Sequence, residues 1–114
     1  MPNANRDAGH RYERQAMNLM RGIGFTECKT SRSESKSRDD AGVDLVGTGC
    51  LNVQAKRTQQ APNFQTLLAS MPDEPGQHNV VFHKRKLGRS VAVMDLADFA
   101  EIVETLIKEG IWQS

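Results

Sequence analysis

Cysteine is scarce in this chain: Cys28 and Cys50 are the only two in 114 residues. Two are too few for a disulfide scaffold, and both are expected to be free thiols in a reducing compartment. No stretch approaches the ~18 consecutive apolar residues that a membrane helix needs, so no membrane association is expected. Residues Met1 to Gly9 contain no apolar core of an export signal, and the expected location is the cytoplasm. There is no Cys/His array at zinc spacing, no glycine-rich nucleotide fingerprint and no internal repeat. What is there is a globular composition, 38% apolar and 25% charged, which excludes a disordered or collagen-like chain. The length suits one domain, residues 1–114, and not two cores of ordinary size.

The net charge of +1 conceals a split. From Asp95 onward there are five acids and one base, which leaves 14 of the 15 bases and nine of the 14 acids before it. The larger part is therefore basic, which permits a polyanion-binding face.

Periodicity predicts a first helix over Asp7–Arg21, after a flexible start at residues 1–6. Tyr12, Ala16, Leu19, Met20 and Ile23 form its apolar stripe, Asp7 is its cap, and Gly22 and Gly24 end it. A short strand is expected at Phe25–Thr30, then a mobile serine-rich loop over residues 31–41. Gly42–Val46 and Leu51–Arg57 read as a hairpin, the second strand alternating Leu51, Val53 and Ala55 against Asn52, Gln54 and Lys56. Pro62 opens a helix to about Met71. Asn79–His83 and Ser90–Met94 are further strands, joined by the basic run from Lys84 to Arg89. A last helix begins at Asp95, with Phe99, Ile102, Val103 and Leu106 as its buried stripe, and stops at Gly110. The order α-β-β-β-α-β-β-α predicts an α/β domain whose central mixed sheet is flanked by helices. His10, His78 and His83 stand alone in the sequence and are expected to be surface or core residues, not ligands. The methionines read as core fillers.

Four residues carry the chemistry. Gln54 and Lys56 share a strand face, and Asp44 lies on the expected partner strand. Glu13 flanks the stripe of the first helix, which can present it to the same sheet. Carboxylates, an amide oxygen and an amine converging on one face make a site for a hard cation with an adjacent lysine. Such a cation polarises a phosphate oxygen and acidifies water, while the lysine assists the water or stabilises charge on the phosphate.

The pattern Asp44-(x9)-Gln54-Ala55-Lys56 resembles the metal motif of the PD-(D/E)XK nuclease superfamily, with glutamine in place of the second acid. More narrowly, residues 9–57 are similar to archaeal-type Holliday junction resolvases and their phage relatives. The matching pieces are Glu13-Arg14, Gly24-Phe25, Lys29 before the serine loop, Val43-Asp44-Leu45-Val46 and Val53-Gln54-Ala55-Lys56. The resemblance implies a restriction-endonuclease-like fold and a homodimer that cuts four-way DNA junctions with Mg2+ or Mn2+. Glu13, Asp44 and Gln54 would hold the metal together with the Ala55 carbonyl, and Lys56 would be the catalytic lysine. Ser31 or Ser33 would approach the scissile phosphate. Arg14, Lys29, Arg32 and Arg57 would hold backbone phosphates, and Lys84, Arg85, Lys86 and Arg89 would add a second contact. Apolar positions near the last helix, or Trp112, are the expected dimer interface. Two other readings remain open: a restriction or repair nuclease of the same superfamily, and a disabled nuclease scaffold that only binds DNA, which Gln54 favours.

Overall fold

The computed structural model describes residues 3–113. Helix α1 (Ala4–Ile23) starts three residues before the expected Asp7, because the Asn3 side chain accepts from the backbone N–H groups of Asn5 and Arg6 at 3.0 and 3.1 Å. Of the expected flexible start, residues 4–6 are thus helical, and residues 1 and 2 lie outside the described residues. The helix runs past Gly22 and ends at Gly24, whose φ of 134° suits glycine. Its buried face is Ala8, Tyr12, Ala16 and Met20. Leu19 and Ile23, expected in that stripe, are exposed.

The first strand shrinks to β1 (Lys29–Thr30). The expected loop at 31–41 instead holds two short helices, α2 (Ser31–Glu34) and α3 (Lys36–Asp40). Ser35 between them caps α3, its hydroxyl facing the Arg38 N–H at 3.5 Å. Ser35, read as a linker residue, thus serves as helix punctuation.

The expected hairpin is also different. Strand β2 (Leu45–Val46) pairs antiparallel with β1, not with β3 (Leu51–Arg57), so the strands form two sheets instead of one. Helix α4 (Phe64–Ser70), capped by the Asn63 side chain, is the crossover from β3 to the parallel β4 (His78–Lys84). Strand β5 (Val91–Met94) then pairs antiparallel with β4, which makes the three-stranded sheet mixed. The result is an α/β fold.

Both faces of β3 and β4 are covered, as a parallel pair requires. On one face Val53 and Val80 pack with Ala16 and Met20 of α1, Cys28 and Leu45. On the other, Val81 packs with Val43, Leu68 and Met71. Met20 and Met71 are buried, while Met17 and Met94 pack at the margin of the first core, in line with their reading as fillers.

Gly47, with φ of +76°, leads the chain out of β2 past β1. A Cβ there would lie 2.7 Å from the Glu27 carbonyl oxygen, and that atom is backbone. Gly47→Ala is therefore expected to lose about 1–3 kcal/mol, read as a lower urea midpoint. An unchanged midpoint would mean that the turn relaxes without cost.

The last helix, α5 (Leu96–Lys108), departs most from expectation: none of its residues is buried. Phe99 is exposed, and Ile102, Val103 and Leu106 are only half-buried. Asp95 stands at the N-cap without a side-chain hydrogen bond. Asp98 instead meets Nδ1 of His78 at 3.1 Å, so His78 is not the isolated side chain that the sequence suggested.

Candidate metal and nucleic-acid site

Asp44 lies just before β2, alongside β3. Its backbone N–H donates to the Val53 carbonyl at 2.7 Å. Its carboxylate Oδ2 accepts from the Ala55 N–H at 2.7 Å. Asp44 therefore brackets Gln54 from the strand's side and takes the place of a neighbouring strand there. The Asp44 carbonyl in turn accepts from the Ser31 N–H at 2.7 Å, tying α2 to the same point.

Burial pushes the Asp44 carboxyl up to about 7. The Ala55 N–H opposes that shift, the Glu13 and Asp39 carboxylates add to it, and Lys56 works against it. The charges of Glu13 and Lys56, two other residues expected to carry the chemistry, are thus felt at Asp44, although Glu13, Asp39 and Asp44 do not bring three carboxylate oxygens within 4.8 Å of one another. Sequence reasoning missed Asp39. The Asp39-Asp40 pair sits in a polar run, where acids read as solvated surface. The available signal was its position five residues before Asp44, separated by a glycine turn at Gly42.

Gln54 is buried, and its Oε1 has no hydrogen-bond partner. Its amide nitrogen lies 3.2 Å from where a Cβ on Gly42 would stand, so glycine at 42 leaves room for the amide. An unpartnered buried acceptor costs about 1–3 kcal/mol unless a ligand satisfies it. Lys56 is half-buried two residues on. The Glu13 side chain is largely buried, and its Oε2 accepts from Arg32 Nε at 3.3 Å.

Behind this point lies a polar brace. Arg38 donates to the Glu74 carboxylate at 3.1 and 3.2 Å and to Asn52 Oδ1 at 2.8 Å. Asn52 donates to Asn79 Oδ1 at 2.9 Å. The brace anchors α3, and with it Asp39, to β3 and β4.

A proton held near neutrality by a buried carboxylate is one that a cation can displace. The oxygens expected as donors, those of Asp44, Glu13, Gln54 and the Ala55 carbonyl, would form a hard set of the kind that suits Mg2+ or Mn2+. The orphaned Gln54 Oε1 is the observation that fits such an ion. Among the described residues, three His, Cys, Asp or Glu donors come within 4.8 Å of one another only at His78, Asp98 and Glu101. That group lies at the far end of the β3–β4 ladder, since His78 is level with Leu51 and Phe82 with Ala55.

The expected phosphate contacts divide into groups. Arg57 is level with Lys84 in the ladder, so β3 delivers Lys56 and Arg57 to the edge where the basic turn begins. Lys86 N–H donates to Gln59 Oε1 at 3.1 Å, and His83 Nε2 lies 3.0 Å from Thr58 Oγ1, which ties that turn to the end of β3. Arg85, Lys86 and Arg89 are exposed there, and Lys84 is half-buried. Arg14 is exposed on α1, and Lys29 is exposed beside Glu34 at 3.9 Å. Arg32 is engaged by Glu13, as described. The Ser33 hydroxyl bonds the Thr30 carbonyl at 2.9 Å. Ser31 is fully buried, and its Oγ has no partner.

The chain matches no family model, and no curated protein or solved structure is significantly similar to it.

Proposed function

We propose that the chain is a metal-dependent endodeoxyribonuclease of PD-(D/E)XK type that cuts branched DNA, with the four-way junction as its substrate. The reading rests on Asp44, whose carboxylate and N–H bracket Gln54 beside Lys56, and whose proton is held near neutrality. Asp44, Glu13, Gln54 Oε1 and the Ala55 carbonyl would hold Mg2+ or Mn2+. Bound there, the cation would polarise the scissile phosphate and make an attacking water more acidic. Lys56 supplies a positive charge to the phosphate as negative charge develops on it, or orients the water. Arg57 and the Lys84–Arg89 turn extend positive charge along the same edge and hold the backbone.

The deciding experiment compares four-way junctions with linear duplex of the same sequence, with and without magnesium. Magnesium-dependent cutting of the junction alone is the expected result. Equal cutting of duplex would assign a restriction or repair role. No cutting by a folded protein that binds junctions would favour the second reading, a DNA-binding module. The Arg32 ion pair on Glu13 and the uncharged Gln54 are the observations on its side.

Gln54 separates these readings further. Its amide oxygen can face a cation but brings no negative charge. Gln54→Glu is expected to bind magnesium more tightly without DNA, by calorimetry, and Gln54→Ala to lose most single-turnover cleavage. If Gln54→Ala cuts as fast as the parent at limiting magnesium, residue 54 is outside the metal site.

Affinity gives another test. Neutralising Lys84, Arg85 and Lys86 together is expected to weaken binding across sequences and to flatten the salt slope by up to about three counterions. An unchanged slope in the triple variant would remove this turn from the DNA surface.

A further inference from the structure

The strand registers set Lys56, His83 and Val91 level with one another across β3, β4 and β5. Residues level in a ladder share a face of the sheet, and neighbouring strands lie about 4.8 Å apart. His83 therefore stands one strand from Lys56 and Val91 two, on the face that also carries Gln54. Phe64, the first residue of α4, meets His83 edge to face, with ring centroids 5.6 Å apart and planes at 74°. His83 is buried, and its Nε2 lies 3.1 Å from the Thr58 carbonyl and 3.0 Å from the Thr58 hydroxyl, so its ring is held in place. Ala61, Phe64, His83 and Val91 line a mostly apolar hollow of about 330 Å³, and Arg85 and Arg89 of the basic turn complete its wall. Phe64 is half-buried, and Val91 is 42% exposed. Neither the metal ligands nor the lysine use Ala61, Phe64, His83 or Val91.

We infer that this hollow receives an unpaired nucleobase of a DNA strand whose phosphate lies at Lys56. The choice of DNA as the ligand rests on the nuclease reading proposed above. Every base has a π face, so an aromatic and aliphatic wall accepts it whatever the sequence. The two guanidinium groups bring positive charge to the flanking phosphates and flat faces on which a base stacks. A neutral apolar ligand would use the walls and not the charges; a nucleotide uses both. His83 and Val91 stand about 5 and 10 Å across the sheet from Lys56, near enough for one nucleotide to hold its phosphate at the lysine and its base in the hollow. A base inside a duplex reaches such a pocket only by unstacking, and the cost is least for a base that is already unpaired. The hollow would thus favour branch points and bulges over intact duplex without reading their sequence.

Fluorescence anisotropy without metal tests this on two DNAs: a duplex with one bulged adenine, and the same bulge with its base removed. The two share backbone and bend, so the ratio of their affinities isolates the base. The bulged adenine is expected to bind about 5- to 150-fold tighter, the range for one stacked base. Phe64→Leu keeps an apolar side chain against the core of Val81 and Leu68 but removes the ring, and is expected to lose most of that ratio. Phe64→Trp is expected to keep it. Because the ratio is taken within each variant, a general loss of affinity or of folded protein cancels. Equal binding of the two bulges by the parent, or a Phe64→Leu ratio as large as the parent's, would overturn the proposal. The nuclease reading fails separately. A parent that keeps the ratio but never cuts with magnesium retains the base pocket and loses the nuclease reading. One that cuts junctions with a ratio of one retains the nuclease reading and loses the pocket.

Discussion

Asp44→Asn is expected to melt at a higher temperature than the parent above pH 7, and to cut no DNA. The unfolded carboxyl titrates near 3.8, and in the folded chain burial raises it to about 7. Below the lower value both states are protonated and Asp44 imposes no penalty. Between the two the folded state binds more protons than the unfolded one, so stability falls as pH rises, and the loss is complete above about 7. A shift of this size corresponds to a few kcal/mol at most. Asparagine keeps a carbonyl oxygen for the Ala55 N–H and removes the charge, so it relieves that penalty. The same change removes the ligand that a cation would need. Saturating magnesium should narrow the gap in melting temperature, because only the parent would be stabilised by binding it. For the parent, cleavage should rise with pH toward neutrality, as the proton on Asp44 gives way to the metal. Thermal melts across this pH range and cleavage time courses check both halves. A variant that melts no higher than the parent above pH 7, or that still cuts, would remove Asp44 from the centre of the site.

Lys56→Ala should slow single-turnover cleavage by about 10²–10⁴-fold, the range for losing one positioned acid-base or charge-stabilising group. Binding should change far less, since Lys56 is one positive charge beside Arg57 and the basic turn at the ladder's end. Lys56→Arg is expected to restore binding more fully than rate, because a planar fork does not reproduce a compact ammonium. The measurement is single-turnover kinetics at saturating protein, with junction affinity determined separately in the absence of metal. A rate within a fewfold of the parent's would exclude Lys56 from the chemistry.

Glu13, Asp44, Gln54 and Lys56 were proposed as a set from residue type and spacing, which are local properties. The alternation through Leu51–Arg57 placed Gln54 and Lys56 together, and the period of α1 placed Glu13 beside its buried stripe. Asp39 was not legible, since its influence on Asp44 depends on α3 being held by Arg38 against Glu74 and Asn52. Those partners stand 36 and 14 positions away in sequence, and no local pattern announces them. The split of the sheet has the same origin: a carboxylate, not a strand, meets the Ala55 N–H.

The sequence alone therefore determined the α/β class, the principal helices, the long strands and the basic run after β4, because helical and strand periods and turn residues act over a few neighbours. Only the tertiary structure decided where those elements meet. It put Asp44 across Gln54, left the Gln54 oxygen buried without a partner, and set Arg57 level with Lys84. It also left the apolar face of α5 uncovered, which an amphipathic pattern by itself cannot reveal. That pattern is the same whether the covering surface belongs to the helix's own chain or to another.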